Sequence, residues 1–195
     1  MISKVLEVHK EGRFTRFIIS YDGKKPKAGQ FVALVFPSEK EIPLGVADYR
    51  EGELEIYVDS SQLASWIESR ERVTIEGPFG RPLLLGNIMG ITTRELHHDV
   101  LYPLREARRS GYDVSLKCLD GCEVNFPKKE RDRWDVIIAS LPKGRIREVP
   151  PKTLIYVRWV KMNCMNGACG VCNVNGYLAC VEGPFIEVEK VVDQG

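Results

Sequence analysis

Cysteine is absent from the first 117 of the 195 residues, and four of the six cysteines crowd into positions 164–180. Net charge is scarce too. At +1, with 28 basic and 27 acidic side chains interspersed, the chain has no electrostatic footprint for nucleic acid or an anionic membrane surface. Long apolar runs are missing: the longest, Phe31 to Phe36, is a strand's length and far short of a membrane span. The opening residues MISKVLEVHKEGRF carry early charges and no apolar core, so no secretory signal is expected, and a cytoplasmic setting is. Thiols stay reduced there, so clustered cysteines point to metal or catalysis before disulfides. Histidine numbers three. His9 stands alone on an early strand, and His97 and His98 have no H-E-x-x-H pattern or cysteine neighbours, so solvated helix positions are expected for that pair. No Ser/His/Asp set, paired carboxylates, repeat or low-complexity tract stands out. Any part in catalysis is therefore expected to be electron carriage.

What remains is ordinary globular composition, 44% hydrophobic and 28% charged, enough for one large or two small domains. The first part reads as six β-prone runs: KVLEVHK, RFTRFIIS, QFVALVF, GVADY, ELEIYV and RVTIEG, several alternating with period two. Glu11-Gly12, Asp22-Gly23, Ala28-Gly29 and Glu51-Gly52 punctuate them, and the spacing predicts a small antiparallel β-barrel over residues 1–80. One helix interrupts it, Ser60 to Arg70, with serines as N-cap candidates. Residues 81–162 read as a reduced α/β nucleotide-binding-like domain. RPLLLG is its expected first strand. Thr92-Thr93-Arg94-Glu95 is an expected capping box before a helix with Leu96, Val100 and Leu104 on one face, which Pro103 should kink or end. YDVSLKC, WDVIIAS and TLIYVRWV follow as buried-type strands, and residues 163–195 form a cysteine loop with a closing hairpin.

The loop spacing is C-x4-C-x2-C-x7-C, through Cys164, Cys169, Cys172 and Cys180. A zinc ribbon brings together two C-x2-C knuckles, whereas C-x4-C-x2-C with a distant fourth cysteine is the plant-type [2Fe-2S] spacing. Gly167, Ala168 and Gly170 let backbone amides approach the sulfurs. Arg158 and Lys161 lie upstream to offset the anionic centre, and Asn175-Gly176 supplies a hairpin turn. Cys172 is then expected ahead of the paired strand, or a bulge intervenes. Structural zinc, or four unrelated thiols, are the competing readings. Cys118 and Cys122 lack further ligands and are expected to be one buried and one loop thiol.

With barrel, α/β segment and cysteine loop in this order, the chain resembles the electron-transfer subunit of heteromeric dihydroorotate dehydrogenases, within the ferredoxin–NADP reductase-like flavoproteins. KAGQFV resembles the family's P-G-Q-F-V strand, EIPLGVADY its flavin strand, IEGPFGRP its G-P-L-G segment, and CMNGACGVC…C…GPF its cluster loop. The resemblance implies a ferredoxin reductase-like fold with a [2Fe-2S] cluster and FAD. It also implies a partner subunit that oxidises dihydroorotate at FMN in pyrimidine biosynthesis. Flavin contacts would come from Pro43, Leu44, Gly45, Ser60, Ser61, Gly77 and Gly80, and the metal ligands would be the four loop cysteines. Ile42 and Gly45 stand where relatives place polar flavin contacts, and Val58-Asp59-Ser60-Ser61 where they have G-x-G-T. Gly86-Asn87-Ile88-Met89-Gly90 is expected at the family's glycine-rich NAD turn. Weak or absent FAD is the expectation, with electrons leaving to a quinone, a ferredoxin-like carrier or a dye rather than NAD. Met162, Met165, Val171 and Tyr177 would face the partner or pack beneath the loop.

Overall fold

The computed structural model describes residues 1–36, 40–122, 124, 126 and 129–192. Six strands form a closed antiparallel barrel in the order β1-β2-β5-β4-β3-β6: β1 (Ile2–Glu11), β2 (Phe14–Ser20), β3 (Phe31–Phe36), β4 (Lys40–Arg50), β5 (Glu53–Val58) and β6 (Arg72–Phe79). The alternating pattern dictates it. Along β5, Leu54, Ile56 and Val58 point inward while the residues between them face outward, and closure leaves no strand edge open. Glu51 and Gly52, both at positive φ, make the two-residue turn that joins Arg50 to its partner Glu53. Helix α1 (Ser61–Glu68) follows, with Ser60 as N-cap accepting a 3.2 Å bond from the Leu63 N–H. Its Ala64 and Ile67 join the barrel core.

The second layer is a five-stranded sheet of order β13-β10-β9-β7-β8. Four strands are parallel, β7 (Ile88–Thr92), β8 (Val114–Cys118), β9 (Val136–Ser140) and β10 (Leu154–Tyr156), and β13 (Phe185–Glu187) closes the edge antiparallel to β10. RPLLLG is not a strand; the first strand here is Ile88–Thr92, which pairs on both sides. The capping box does not form either. Thr92 ends β7 with its Oγ1 bonded to the Ser140 carbonyl, and helix α2 (His98–Arg109) starts four residues beyond Arg94. Pro103 lies inside α2 without ending it, and Val100, Leu101, Leu104 and Ala107 are buried. Between β10 and β13 runs the cysteine loop with the short hairpin β11 (Asn173–Val174) and β12 (Tyr177–Leu178) around Asn175-Gly176. Helix α3 (Val188–Val191) follows β13. Among the described residues no helix is long and apolar enough to cross a membrane.

Candidate functional site

Both ends of the cysteine loop are anchored on adjacent paired strands, β10 and β13, so its 28 intervening positions, 157–184, fold back over one core. Met162, Met165, Cys172, Ala179 and Cys180 join Ile155, Val157 and Ile186 there, together with Phe31 and Ala33 of the barrel. Cys172 and Cys180 are buried, Cys164 is half-buried and Cys169 is exposed. Cys172 sits just before the paired residues, with Ala179 N–H on its carbonyl, so no bulge is needed. Left-handed backbone at Met165, Gly167 and Gly170 winds the loop inward, and only glycine takes such angles freely. Two amides reach sulfur: Cys169 N–H to Cys164 Sγ and Cys180 N–H to Cys172 Sγ, each at 3.4 Å. The Cys172 and Cys180 sulfurs are 3.1 Å apart.

The thiols thus fall into two pairs, Cys164 with Cys169 and Cys172 with Cys180. Among the described residues no three His, Cys, Asp or Glu side chains converge as a metal site, the four loop cysteines included. A binuclear cluster takes two thiolates at each iron, and paired sulfurs fit that donor set better than a tetrahedron about one ion. The Cys169 amide, then its thiol, then the Asn166 and Gly167 amides draw the Cys164 thiol down to about 6. Burial, then the Cys172 thiol, push Cys180 up to about 12. Metal binding would therefore have to displace a proton from Cys180.

The flavin-strand residues meet a different environment. Pro43, Leu44, Gly45 and Ser60 line a cavity of about 280 Å³ with Phe31, Tyr57, Asp59, Tyr156 and Arg158. Ser61 faces away, toward Lys10 and Arg13. Gly77 and Gly80 lie outside this cavity: the Gly77 carbonyl accepts from Tyr21, and Gly80 abuts Gly183. Gly45 is explained by Tyr156, whose hydroxyl would lie 2.9 Å from a Cβ at that position. Arg158 does not serve the cysteine loop. Its Nη2 bonds Asp59 at 2.7 Å and its Nη1 bonds Asp99 at 2.9 Å, joining the barrel to α2. Ser140 Oγ donates to the other Asp99 oxygen at 2.7 Å. Burial works against the charge on Asp59, yet the Arg158 hydrogen bond and charge hold its carboxyl below the usual range. Burial likewise opposes the charge on Arg158, and Asp99 and Asp59 more than offset it.

His98 is buried, which corrects the solvated reading; it stacks on Tyr57 at 5.1 Å and meets Phe14 edge-on at 4.6 Å. Burial pushes its pKa down to about 4 although Asp99 pulls the other way. A neutral ring makes its 3.3 Å approach to Asp99 a contact rather than an ion pair. Nε2 accepts from Arg158 Nη1 at 3.2 Å, so the proton sits on Nδ1, a buried donor without a partner among the described residues. Tyr156, Asp99, His98 and the true role of Arg158 escaped sequence reading because they meet only across the two layers. Closed around Arg158, this cavity does not fit a flavin dinucleotide. It is smaller than the ~300–1,000 Å³ of small-molecule pockets, Ser60 Oγ is spent on its own helix, and a carboxylate, Asp59, lines it.

A second cavity of about 670 Å³ lies between the β1–β2 turn and the start of α2. Its arginines are all engaged, Arg13 with Glu95, Arg105 with Glu55 and Asp48, and Arg94 with the Gly121 carbonyl. The strand shift also relocates the expected NAD turn. Gly86-Asn87-Ile88-Met89-Gly90 runs into and along β7, and the turn after the strand is Thr93-Arg94-Glu95, without glycine. Cys118 and Cys122 are disulfide-bonded, which corrects the reading of two separate thiols; the end of β8 brings their Cα atoms to 5.6 Å, inside the bridging range.

No protein-family model and no curated protein matches the chain. Solved structures do. A chain from the NADH-dependent reduced ferredoxin-NADP oxidoreductase, described for flavin-based electron bifurcation, matches at TM-score 0.76 and 19% identity over 98% of this chain and 90% of that one. Phthalate dioxygenase reductase, described as a modular structure for electron transfer from pyridine nucleotides to [2Fe-2S], matches at 0.60 and 13% over 88% and 85%. The ferredoxin reductase of carbazole 1,9a-dioxygenase, in its FAD apo form, matches at 0.53 and 16% over 76% and 58%. Barrel and sheet together are the ferredoxin reductase-like fold.

Proposed function

From a ferredoxin reductase-like fold with four paired thiols at its layer junction, we propose that this chain is an electron-transfer subunit. Cys164, Cys169, Cys172 and Cys180 would hold one [2Fe-2S] cluster, and the paired, amide-bonded sulfurs carry the reading. When bound, the cluster supplies one-electron relay between a flavin and an acceptor. The chain's own residues do the rest. Buried Cys172, Cys180, Met162 and Met165 exclude water on the inner side, so the two methionines pack beneath the loop. Exposed Cys169, Val171 and Val181 form the outer face. That face would meet the FMN-bearing catalytic subunit of a dihydroorotate dehydrogenase, in pyrimidine biosynthesis. With no glycine in the turn after β7, a quinone, a ferredoxin-like carrier or a dye is the acceptor we favour over NAD.

Iron and sulfide analysis of anaerobically purified Cys→Ser variants tests the ligand set. Cys169→Ser should lose the cluster and Cys118→Ser should keep it; stoichiometric zinc in a colourless protein would point instead to an interaction module. Co-expression with the candidate FMN partner, then dihydroorotate oxidation with each acceptor, tests the partnership. Efficient NAD reduction would overturn the acceptor, and failure to co-purify with any FMN protein would overturn the partner. A flavin-loaded chain is the second reading. The flavin chemistry for which the matching structures are described favours it, and it requires the Arg158–Asp59 pair to open.

A further inference from the structure

In an open parallel sheet, ligands bind beyond the carboxyl ends of the strands, where neighbouring connections leave in opposite directions. Here β7 has β8 on one side and β9 on the other, so that point lies at Thr92. It is already covered. The loop after β8 folds across it: Leu119 N–H bonds the Thr92 carbonyl at 2.9 Å, and Asp120 Oδ1 accepts the Arg94 N–H at 2.6 Å. The Gly121 carbonyl accepts Arg94 Nε at 2.8 Å. A carboxylate facing a backbone amide, with the Arg94 guanidinium bonded to the next residue's carbonyl, stands in surroundings that suit a phosphate oxygen. The loop that carries it is tied at both ends by the half-buried Cys118–Cys122 disulfide.

We propose that residues 118–122 are a redox-released strap: the disulfide holds Asp120 over the switch-point crevice, and its reduction frees the crevice for the phosphate of a nucleotide. A dithiol reductant donates two electrons and two protons. The Cys118–Cys122 S–S bond breaks, two thiols form on this chain, and the dithiol becomes a disulfide. Five residues joined end to end cannot move their tip far, whereas an open loop can swing. A partly exposed disulfide is open to exchange with a dithiol. The inference is independent of the cluster, because none of its residues lies between Cys164 and Cys180.

The test uses the full chain, with NADH as the probe in calorimetry. Mass after alkylation sets the redox state of Cys118 and Cys122. The dithiothreitol-reduced chain and the Cys118→Ser/Cys122→Ser variant should bind NADH at least about tenfold more tightly than the disulfide form. Asp120→Asn should raise the affinity of the disulfide form toward the reduced value. Amide exchange in residues 92–97 should speed up on reduction. Equal NADH affinity in both redox states, including none in either, would overturn the proposal. So would free thiols at Cys118 and Cys122 in aerobically purified protein.

Discussion

Arg158 bridges Asp59 and Asp99, and the two carboxylates differ sharply: the Asp99 side chain is 1% exposed and that of Asp59 is 44% exposed. Removing the guanidinium leaves Asp99 charged, buried and, among the described residues, hydrogen-bonded by a side chain only to Ser140. Breaking a buried pair this way costs about 3 kcal/mol. Arg158→Met should therefore lower Tm by roughly 6–12 °C for a chain of this size. Arg145→Ala, which breaks an exposed pair with Glu148, should stay within about 0.5 kcal/mol. Equal melting of the two variants would show that Asp99 is not compensated by Arg158. His98 sets a pH dependence. A free imidazole titrates near about 6.5, and here burial lowers it to about 4, so the fold prefers the neutral ring. That stabilisation is complete above pH 6.5 and is lost as pH falls through about 4. Thermal melts from pH 8 to 4 should fall more steeply for the wild type than for His98→Gln, and parallel slopes would refute the assignment. Asp59 contributes in the same direction only at lower pH, because its carboxyl is held below its ordinary value.

At the level of elements, the cysteine loop depends on a tight seam with the barrel. Gly80 has φ +80, and a Cβ there would lie 2.6 Å from the Gly183 carbonyl and 3.1 Å from Phe31 and Pro184. Arg81 N–H bonds the same Gly183 carbonyl at 2.7 Å. Neither backbone can yield without moving the loop. Gly80→Ala should cost about 1–3 kcal/mol and lower iron content, although residue 80 is no ligand. Gly12→Ala isolates the conformational part: φ is +61 and nothing lies within 4 Å of its Cβ. It should cost about 1 kcal/mol and leave iron content unchanged. If both variants keep full iron, the seam does not position the cysteines.

Across the whole molecule, the barrel and sheet meet through charged and polar side chains at the Pro43–Gly45 cavity. Arg158, Asp59 and Tyr156 fill that junction, and Ser60 is committed to α1. The chain expressed alone should emerge from gel filtration with well under one FAD, as measured by absorbance after acid release. Stoichiometric FAD would favour the flavin-loaded reading and show that the Arg158–Asp59 pair opens.

The barrel strands were legible because period-two burial and glycine turns are local signals, and so was α1, whose N-cap Ser60 lies beside it in the chain. The cysteine spacing also stood in the sequence, since ligands within 17 residues need no distant partner to be recognised. The first sheet strand was not legible. RPLLLG and Ile88–Thr92 are equally apolar, and pairing with β8 and β9 selects the second, with Leu104 and Leu116 filling the space beside Gly90. Arg158 could be read as a charge near the cysteines only because its partners lie 59 and 99 residues away. The chain alone thus determined the pattern of the barrel strands and the set of sulfurs. Which charges neutralise one another, which carboxylates face Arg158 and which histidine is dry were decided by tertiary structure, because ion pairing and desolvation depend on what distant segments bring into contact.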